Sequence, residues 1–382
     1  MTEMHAYEPG LANVPAAESK VCYLDGSIGK LQYRGYPIEV LSDHSTFEEV
    51  AYLLLYGELP TQAQLREFDS ELRQARTLKF NIIDLLKTLP ESGHPMDALA
   101  SASAALSMFY PGDHVHDQTF RNASCIRLIA KFPTIVAAWE HVRNGDDPIK
   151  SRPDLGHAAN FLYILNGEEP EPLIARTMDV AMILHAEHQM NASTFSARVT
   201  GSSLADPYAV VSAAVATLSG PLHGGANEDV LNMLHTIPDP RPNTVRAWAE
   251  DRLARKLKIA GFGHREYKVK DPRASILQKL SERVFEKYGS TPLYDIAIEL
   301  ERQMADLVGQ KGIYPNVDFY SGILYDKMKI PTDLFTPIFA VARVAGWLAH
   351  LLEQLHNNRI FRPSQIWTGH ADREFLPIAA RG

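Results

Sequence analysis

Ser45-Thr46-Phe47-Glu48-Glu49-Val50-Ala51-Tyr52-Leu53-Leu54-Leu55-Tyr56-Gly57 is the stretch on which the fold class turns. Ser45 and Glu48 stand three apart, the spacing at which an N-cap hydroxyl and a carboxylate satisfy each other's backbone N–H groups. An apolar run from Val50 to Tyr56 follows, and Gly57 can end a helix in the left-handed conformation. A start signal, an apolar body and a stop signal predict a helix.

The same grammar repeats outward. Thr61 with Gln64 opens another helix, with Leu65, Phe68 and Leu72 at helical spacing. Further helices are expected over 82–88, 97–109, 126–131, 134–143, 157–165 and 171–188. Others are expected over 207–218, 227–235, 244–256, 272–288, 292–307, 320–328 and 333–355, with Gly or Pro at most junctions. Strand signals are confined to 20–24 and 31–33, flanking Asp25-Gly26, which suggests one small hairpin. No series of strands alternates with helices, so a parallel sheet is disfavoured. The expectation is an all-α fold with a minor N-terminal β-hairpin. Ser219-Gly220-Pro221 and Ile330-Pro331-Thr332 bracket a region with glycine-rich turns near Gly224, Gly261 and Gly312. It reads as a smaller helical domain, 222–330, inserted into a larger one made of 1–221 and 331–382.

Composition narrows the function classes. The chain has 382 residues, 45% hydrophobic and 22% charged, an ordinary globular mix able to bury a large core. A net charge of −8 argues against a general nucleic-acid binder. The 2 cysteines, Cys22 and Cys125, can form neither a disulfide framework nor a cysteine zinc site, and fit a reducing, cytoplasmic setting. Met1 to Ala17 has no basic start and no apolar run, so no signal peptide is expected there. The nearest approach to a membrane span, Pro337 to Leu352, carries Arg343 and His350. No membrane partner is expected.

Several common chemistries lack their motifs. Gly261-Phe-Gly263-His-Arg-Glu266 begins like a dinucleotide loop, but Glu266 replaces the third glycine and no strand precedes it. Walker-type, Gly-x-Ser-x-Gly and His-Glu-x-x-His patterns are absent. Histidine is the informative residue, with 15 in the chain. His223 lies in Pro221-Leu-His-Gly-Gly-Ala-Asn227 and His264 in Gly261-Phe-Gly-His-Arg265, two turns whose glycines leave ring and backbone open to a ligand. Either could instead merely cap a helix. His185 and His188 stand three apart on the expected 171–188 helix and so share a face. With Asp113-His-Val-His-Asp117 they are the raw material of a metal-dependent hydrolase, although the latter cluster reads more simply as a surface loop.

Asp318 stands between Val317 and Phe319, where apolar neighbours raise a carboxylate's basicity and suit it to general-base work. A helix-capping Asp reads the same way locally. Arg273, Arg343 and Arg362 are isolated arginines, and a guanidinium grips a carboxylate through two parallel hydrogen bonds. Singly each is an ordinary ion pair. Jointly, two turn histidines, an Asp and three arginines describe a site for a small polycarboxylate.

At these residues the chain resembles the citrate synthase family. Pro221 to Asn227, Gly261 to Arg265 with Asp271-Pro-Arg273, and Tyr314-Pro-Asn-Val-Asp318 look like its three signature regions, in order. Leu184-His-Ala-Glu-His188 with 191–194, Ile360-Phe-Arg-Pro363, Tyr33-Arg-Gly-Tyr36 and His94-Pro-Met-Asp97 match as well, so the likeness runs from about Gly10 to about Gly369. The resemblance implies a mostly helical homodimer at least, with a higher homo-oligomer left open, that condenses acetyl-CoA with oxaloacetate. It implies Asp318 as the base, His223 as the donor to the thioester carbonyl, and His264 as the donor to the oxaloacetate carbonyl. His188, Asn191, Arg273 and Arg343 would hold oxaloacetate, with Arg362 reaching in from the partner subunit. Lys268, Lys311, Asn316 and Gly263 would meet coenzyme A. No cofactor is implied, since acetyl-CoA is a substrate. A 2-methylcitrate synthase using propionyl-CoA is the near alternative, differing by one methylene.

Overall fold

The structure is a computed structural model and describes residues 7–112 and 115–381. Among them are sixteen α-helices and one three-stranded antiparallel sheet. The sheet comprises β1 (Cys22–Asp25), β2 (Lys30–Tyr33) and β3 (Tyr36–Pro37), with Cys22 opposite Tyr33 and Tyr33 opposite Tyr36. The helices are α1 (Ile38–His44), α2 (Phe47–Tyr56), α3 (Gln62–Ala75), α4 (Phe80–Lys87), α5 (Pro95–Phe109), α6 (Gln118–Arg143), α7 (His157–Asn166) and α8 (Pro172–His185). They continue as α9 (Ala192–Ser202), α10 (Pro207–Leu218), α11 (Ala226–Leu234), α12 (Pro242–Ala254), α13 (Pro272–Tyr288), α14 (Pro292–Val308), α15 (Val317–Lys327) and α16 (Phe335–His356).

Local chemistry starts these helices. Proline opens α5, α8, α10, α12, α13 and α14, at the position where its missing N–H would be unpaired anyway. The Thr61–Gln64 capping box forms as expected. The box at α2 is displaced by one residue: Thr46 is the cap and Glu49 its reciprocal partner. Glu48 is thereby released, and its Oε1 accepts the His157 N–H at 2.7 Å, capping α7 instead.

The two helices expected over 126–131 and 134–143 are one, α6, running through Pro133. An interior proline costs about 3 kcal/mol. Burial of Ile129, Phe132, Ile135, Val136 and Trp139 offsets that cost. Two helices, α1 and α9, have no counterpart in the pattern reading.

α6 and α16 form the centre. α16 packs on α9, α6, α2 and α8, while α10 lies on α5 and α9. Among the described residues one helix is long and apolar enough to span a membrane, α16 with the turn before it (Thr332–His356), and 94% of its apolar window is buried inside the protein, so it is a core helix. Between residues 226 and 327, α11 packs on α15, α12 on α14 and α13 on α15.

Candidate active site

His223 is held by the start of α9. The Ser193 N–H donates to His223 Nε2 at 3.2 Å, and the Ser193 hydroxyl lies 2.8 Å from the same nitrogen. The Trp347 indole donates to that hydroxyl oxygen at 3.1 Å. An Nε2 that accepts from a backbone N–H carries no proton, so the ring proton of the neutral imidazole sits on Nδ1. Burial, with Arg343 nearby, lowers the His223 pKa to about 4, which keeps the ring neutral.

His264 has the opposite tautomer. Its Nδ1 accepts the N–H groups of Glu266 at 3.0 Å and Tyr267 at 3.3 Å, which leaves the proton on Nε2. Burial and the Arg273 charge lower its pKa to about 4 as well. Tyr267 organises this corner. Its ring centroid lies 4.8 Å from that of His264, and its hydroxyl lies 3.3 Å from Nε2 of His188. Arg273, 3% exposed, is clamped by Asp271 through Nε and Nη2. Asp271 Oδ2 also accepts the Val317 N–H at 3.3 Å, joining the starts of α13 and α15.

The loop before α15 is stapled to the His264 loop. The Gly263 N–H donates to the Tyr314 carbonyl and the Asn316 N–H to the Gly261 carbonyl, each at 2.8 Å. The Asn316 side chain caps α15 by accepting the Asp318 N–H at 3.0 Å, and its amide donates to the Gly263 carbonyl at 3.0 Å. Asn316 therefore does the capping, and the Asp318 carboxylate has no hydrogen-bond partner among the described residues. Burial raises its pKa to about 6 against the opposing pull of Arg273.

Arg343 enters from the middle of α16, 1% exposed, with Nε donating to the His185 carbonyl at 2.7 Å and its cation over the Phe339 ring. This bond explains why α8 ends at His185, short of the expected 188. Arg343 takes the carbonyl of His185 and Tyr33 that of Leu184, groups a helix end leaves unpaired, and the Tyr33 hydroxyl also meets the Glu187 carbonyl just beyond the helix. His185 and His188 thus share no helix face. The His185 ring turns into the core against Phe339, with Nδ1 at 2.7 Å from the Ala181 carbonyl, while His188 faces His264 at 5.2 Å between centroids. Residues 113 and 114 of the other histidine cluster lie outside the described residues. Among the described residues no group of three or more His, Cys, Asp or Glu is placed to hold a metal ion.

The site thus brings together His188, His223, His264, Arg273, Asp318 and Arg343. Asn191 is present but engaged: its Oδ1 caps α9 through the Thr194 N–H at 3.1 Å. Gly263 has its N–H and carbonyl bonded within the stapled loops. Lys268 and Lys311 are exposed, and the Gly312 backbone approaches Lys268 so closely that a Cβ there would lie 3.0 Å from its carbonyl oxygen. Arg362 is apart from the rest, exposed in the segment after α16. The pattern reading missed Tyr267, Ser193 and Trp347. Nothing local marks them; only tertiary packing places them.

Chemically, the arrangement offers two neutral imidazoles with one free N–H each, a carboxylate of raised basicity, and guanidinium groups. The starts of α9, α13 and α15 add the positive ends of three helix dipoles, favourable to an anionic ligand.

Comparisons with known proteins point to one family. A family model described as citrate synthase, C-terminal domain, matches residues 10–364. A citrate synthase of Synechocystis sp. is 55% identical over 381 residues, covering 100% of this chain and 96% of that protein. The crystal structure of citrate synthase from Pyrobaculum aerophilum superposes with a TM-score of 0.90 at 40% identity, covering 98% of this chain and 95% of the other. A citrate synthase from Thermoplasma acidophilum, in ternary complex with carboxymethyl coenzyme A and oxaloacetate, superposes with a TM-score of 0.92 at 32% identity, covering 99% and 100%.

Proposed function

The chain belongs to the citrate synthase family and is an enzyme that condenses acetyl-CoA with oxaloacetate, and from that premise we propose how its residues divide the work. Asp318 removes a methyl proton from acetyl-CoA. The Nδ1–H of His223 donates to the thioester carbonyl oxygen and stabilises the enol. The enol carbon attacks the oxaloacetate carbonyl, whose oxygen takes its proton from Nε2 of His264. Water then hydrolyses the citryl thioester, releasing citrate and CoA.

The observation that carries this reading is the pair of complementary tautomers, each fixed by backbone N–H donors, with a carboxylate that has no hydrogen-bond partner among the described residues. Acid and base acting together suit a thioester methyl, which is hard to deprotonate at neutral pH. His188, Arg273 and Arg343 bind oxaloacetate, and Arg362 of the partner subunit completes the site. Lys268 and Lys311, both exposed, take coenzyme A phosphates. Asn316 and Gly263 serve that ligand through the shape of their loop, since their polar groups are already engaged. Residues 222–330 act as a small domain closing on the large domain of 1–221 and 331–382. The protein works as a homodimer without a cofactor. The free thiols of Cys22 and Cys125 support a cytoplasmic location.

A thiol-release assay with oxaloacetate tests the reading. The kcat/KM for acetyl-CoA should exceed that for propionyl-CoA by about 10-fold or more, the usual worth of one methylene. A preference for propionyl-CoA, or no thiol release, overturns it.

A further inference from the structure

Beneath the site, four residues of α16 recur at helical spacing on one face: Arg343, Trp347, His350 and Gln354. Arg343 and Trp347 already serve the site. His350, 1% exposed, lies between Glu187 and Arg198. Arg198 donates through Nε to His350 Nδ1 at 3.1 Å, so the ring proton is on Nε2 and is given to Glu187 Oε1 at 3.0 Å. Glu187 is fully buried beside His185 and His188, and its other oxygen has no partner among the described residues. Such an anion is tolerable only with cations around it, and Arg343 and Arg198 both feel its charge.

The chain of bonds continues away from the site. Arg198 also binds Glu353 and, through Nη1, Gln354 Oε1 at 3.3 Å. Gln354 donates to Asn358 Oδ1 at 3.2 Å and to the Arg359 carbonyl at 3.4 Å. Asn358 donates to the Ser202 carbonyl at 3.0 Å, and the Ser202 hydroxyl accepts the Phe361 N–H at 3.1 Å. The Phe361 ring meets Phe195 edge-on at 5.6 Å. One residue beyond Phe361 stands Arg362.

We infer that Glu187, His350 and Arg198 are positioning residues that fix the root of the C-terminal arm, and so aim Arg362 at the oxaloacetate site it completes in the partner subunit. This rests on the role proposed above for Arg362. The relay ties the loop holding His188 in one subunit to the arginine serving the other. Hydrogen bonds in chains of this kind strengthen one another and hold in one arrangement the elements they join.

Heterodimers test it. Two differently tagged chains are co-expressed and the mixed species isolated by both tags. One chain is unaltered; the other carries Asp318→Ala with His350→Gln. The single live site then takes its body from the unaltered chain and its arm from the altered one. Oxaloacetate KM should rise about tenfold relative to a heterodimer bearing Asp318→Ala alone, the effect of misplacing one charge-assisted contact. The kcat and the acetyl-CoA KM should stay within about twofold. An unchanged oxaloacetate KM overturns the relay. Replacing His350→Gln by Arg362→Ala in the same design separates the two readings: if that hybrid also keeps its KM, Arg362 does not act across the interface and the underlying role fails. If the His350→Gln chain does not fold, Arg198→Lys decides in its place, since a lysine cannot hold His350 and Gln354 together.

Discussion

Asp318 occupies a position where a carboxylate is costly, and the cost is informative. Burial raises its pKa from 3.8 to about 6, so the folded protein holds this proton more tightly than the unfolded chain does. Stability therefore falls as pH rises through that window and stays lower above it. Asp318→Asn removes the penalty. At pH 7.5 the variant should melt at a higher temperature than the parent, by a stabilisation of at most about 3 kcal/mol. The difference should vanish below about pH 4. Activity should move the other way, with kcat down by about a hundredfold or more and oxaloacetate binding largely kept. The parent's kcat/KM should show an acid limb near pH 6, because both turn histidines, at about 4, are already neutral there. Near-normal turnover by a folded Asp318→Asn protein would remove the residue from the base role.

At the scale of elements, most helices were legible from local signals, although α9, capped locally by Asn191, was missed. Proline at the first turn, Thr61 with Gln64, and Gly57 each act through bonds within a few residues. Two of the misreadings share one cause: tertiary partners decided. Glu48 caps α7 rather than its own helix, and α8 stops where Arg343 and Tyr33 capture its carbonyls. The site residues that are themselves functional groups in glycine turns could be found in the sequence. Tyr267, Ser193 and Trp347 could not, because their meaning lies in which ring they hold. Asn316 shows the difference in practice. As the cap of α15 and the staple to Gly263, Asn316→Ala should cost about 0.5–2 kcal/mol and lower the melting temperature. It should also reduce kcat, since Asp318 lies in the first turn of α15. A coenzyme A contact alone would raise the acetyl-CoA KM and leave the melting temperature where it was.

For the whole molecule, the question is how the two sides of the site meet. Among the contacts of the 222–330 segment with the remainder, three lie at the site: Ser193 with His223, His188 with Tyr267, and the Gly26 carbonyl with the Lys268 N–H at 2.8 Å. Domain closure would make these contacts and opening would break them. The hairpin tip is the least forgiving of the three. A Cβ on Gly26 would lie 2.0 Å from the Glu266 carbonyl oxygen, a backbone atom with little room to yield. That loop also supplies the two N–H groups that fix the His264 tautomer. Gly26→Ala touches no substrate, yet it should keep the tip from seating and leave the site ajar. In small-angle scattering, the parent with saturating oxaloacetate and a coenzyme A analogue should show a smaller radius of gyration than the free protein. The Gly26→Ala protein should show little or none of that compaction, with kcat lowered by about tenfold or more. Full compaction and normal turnover in the variant would mean that the hairpin tip takes no part in closure, and a parent unchanged under proven saturation would mean a site that is closed before its ligands arrive.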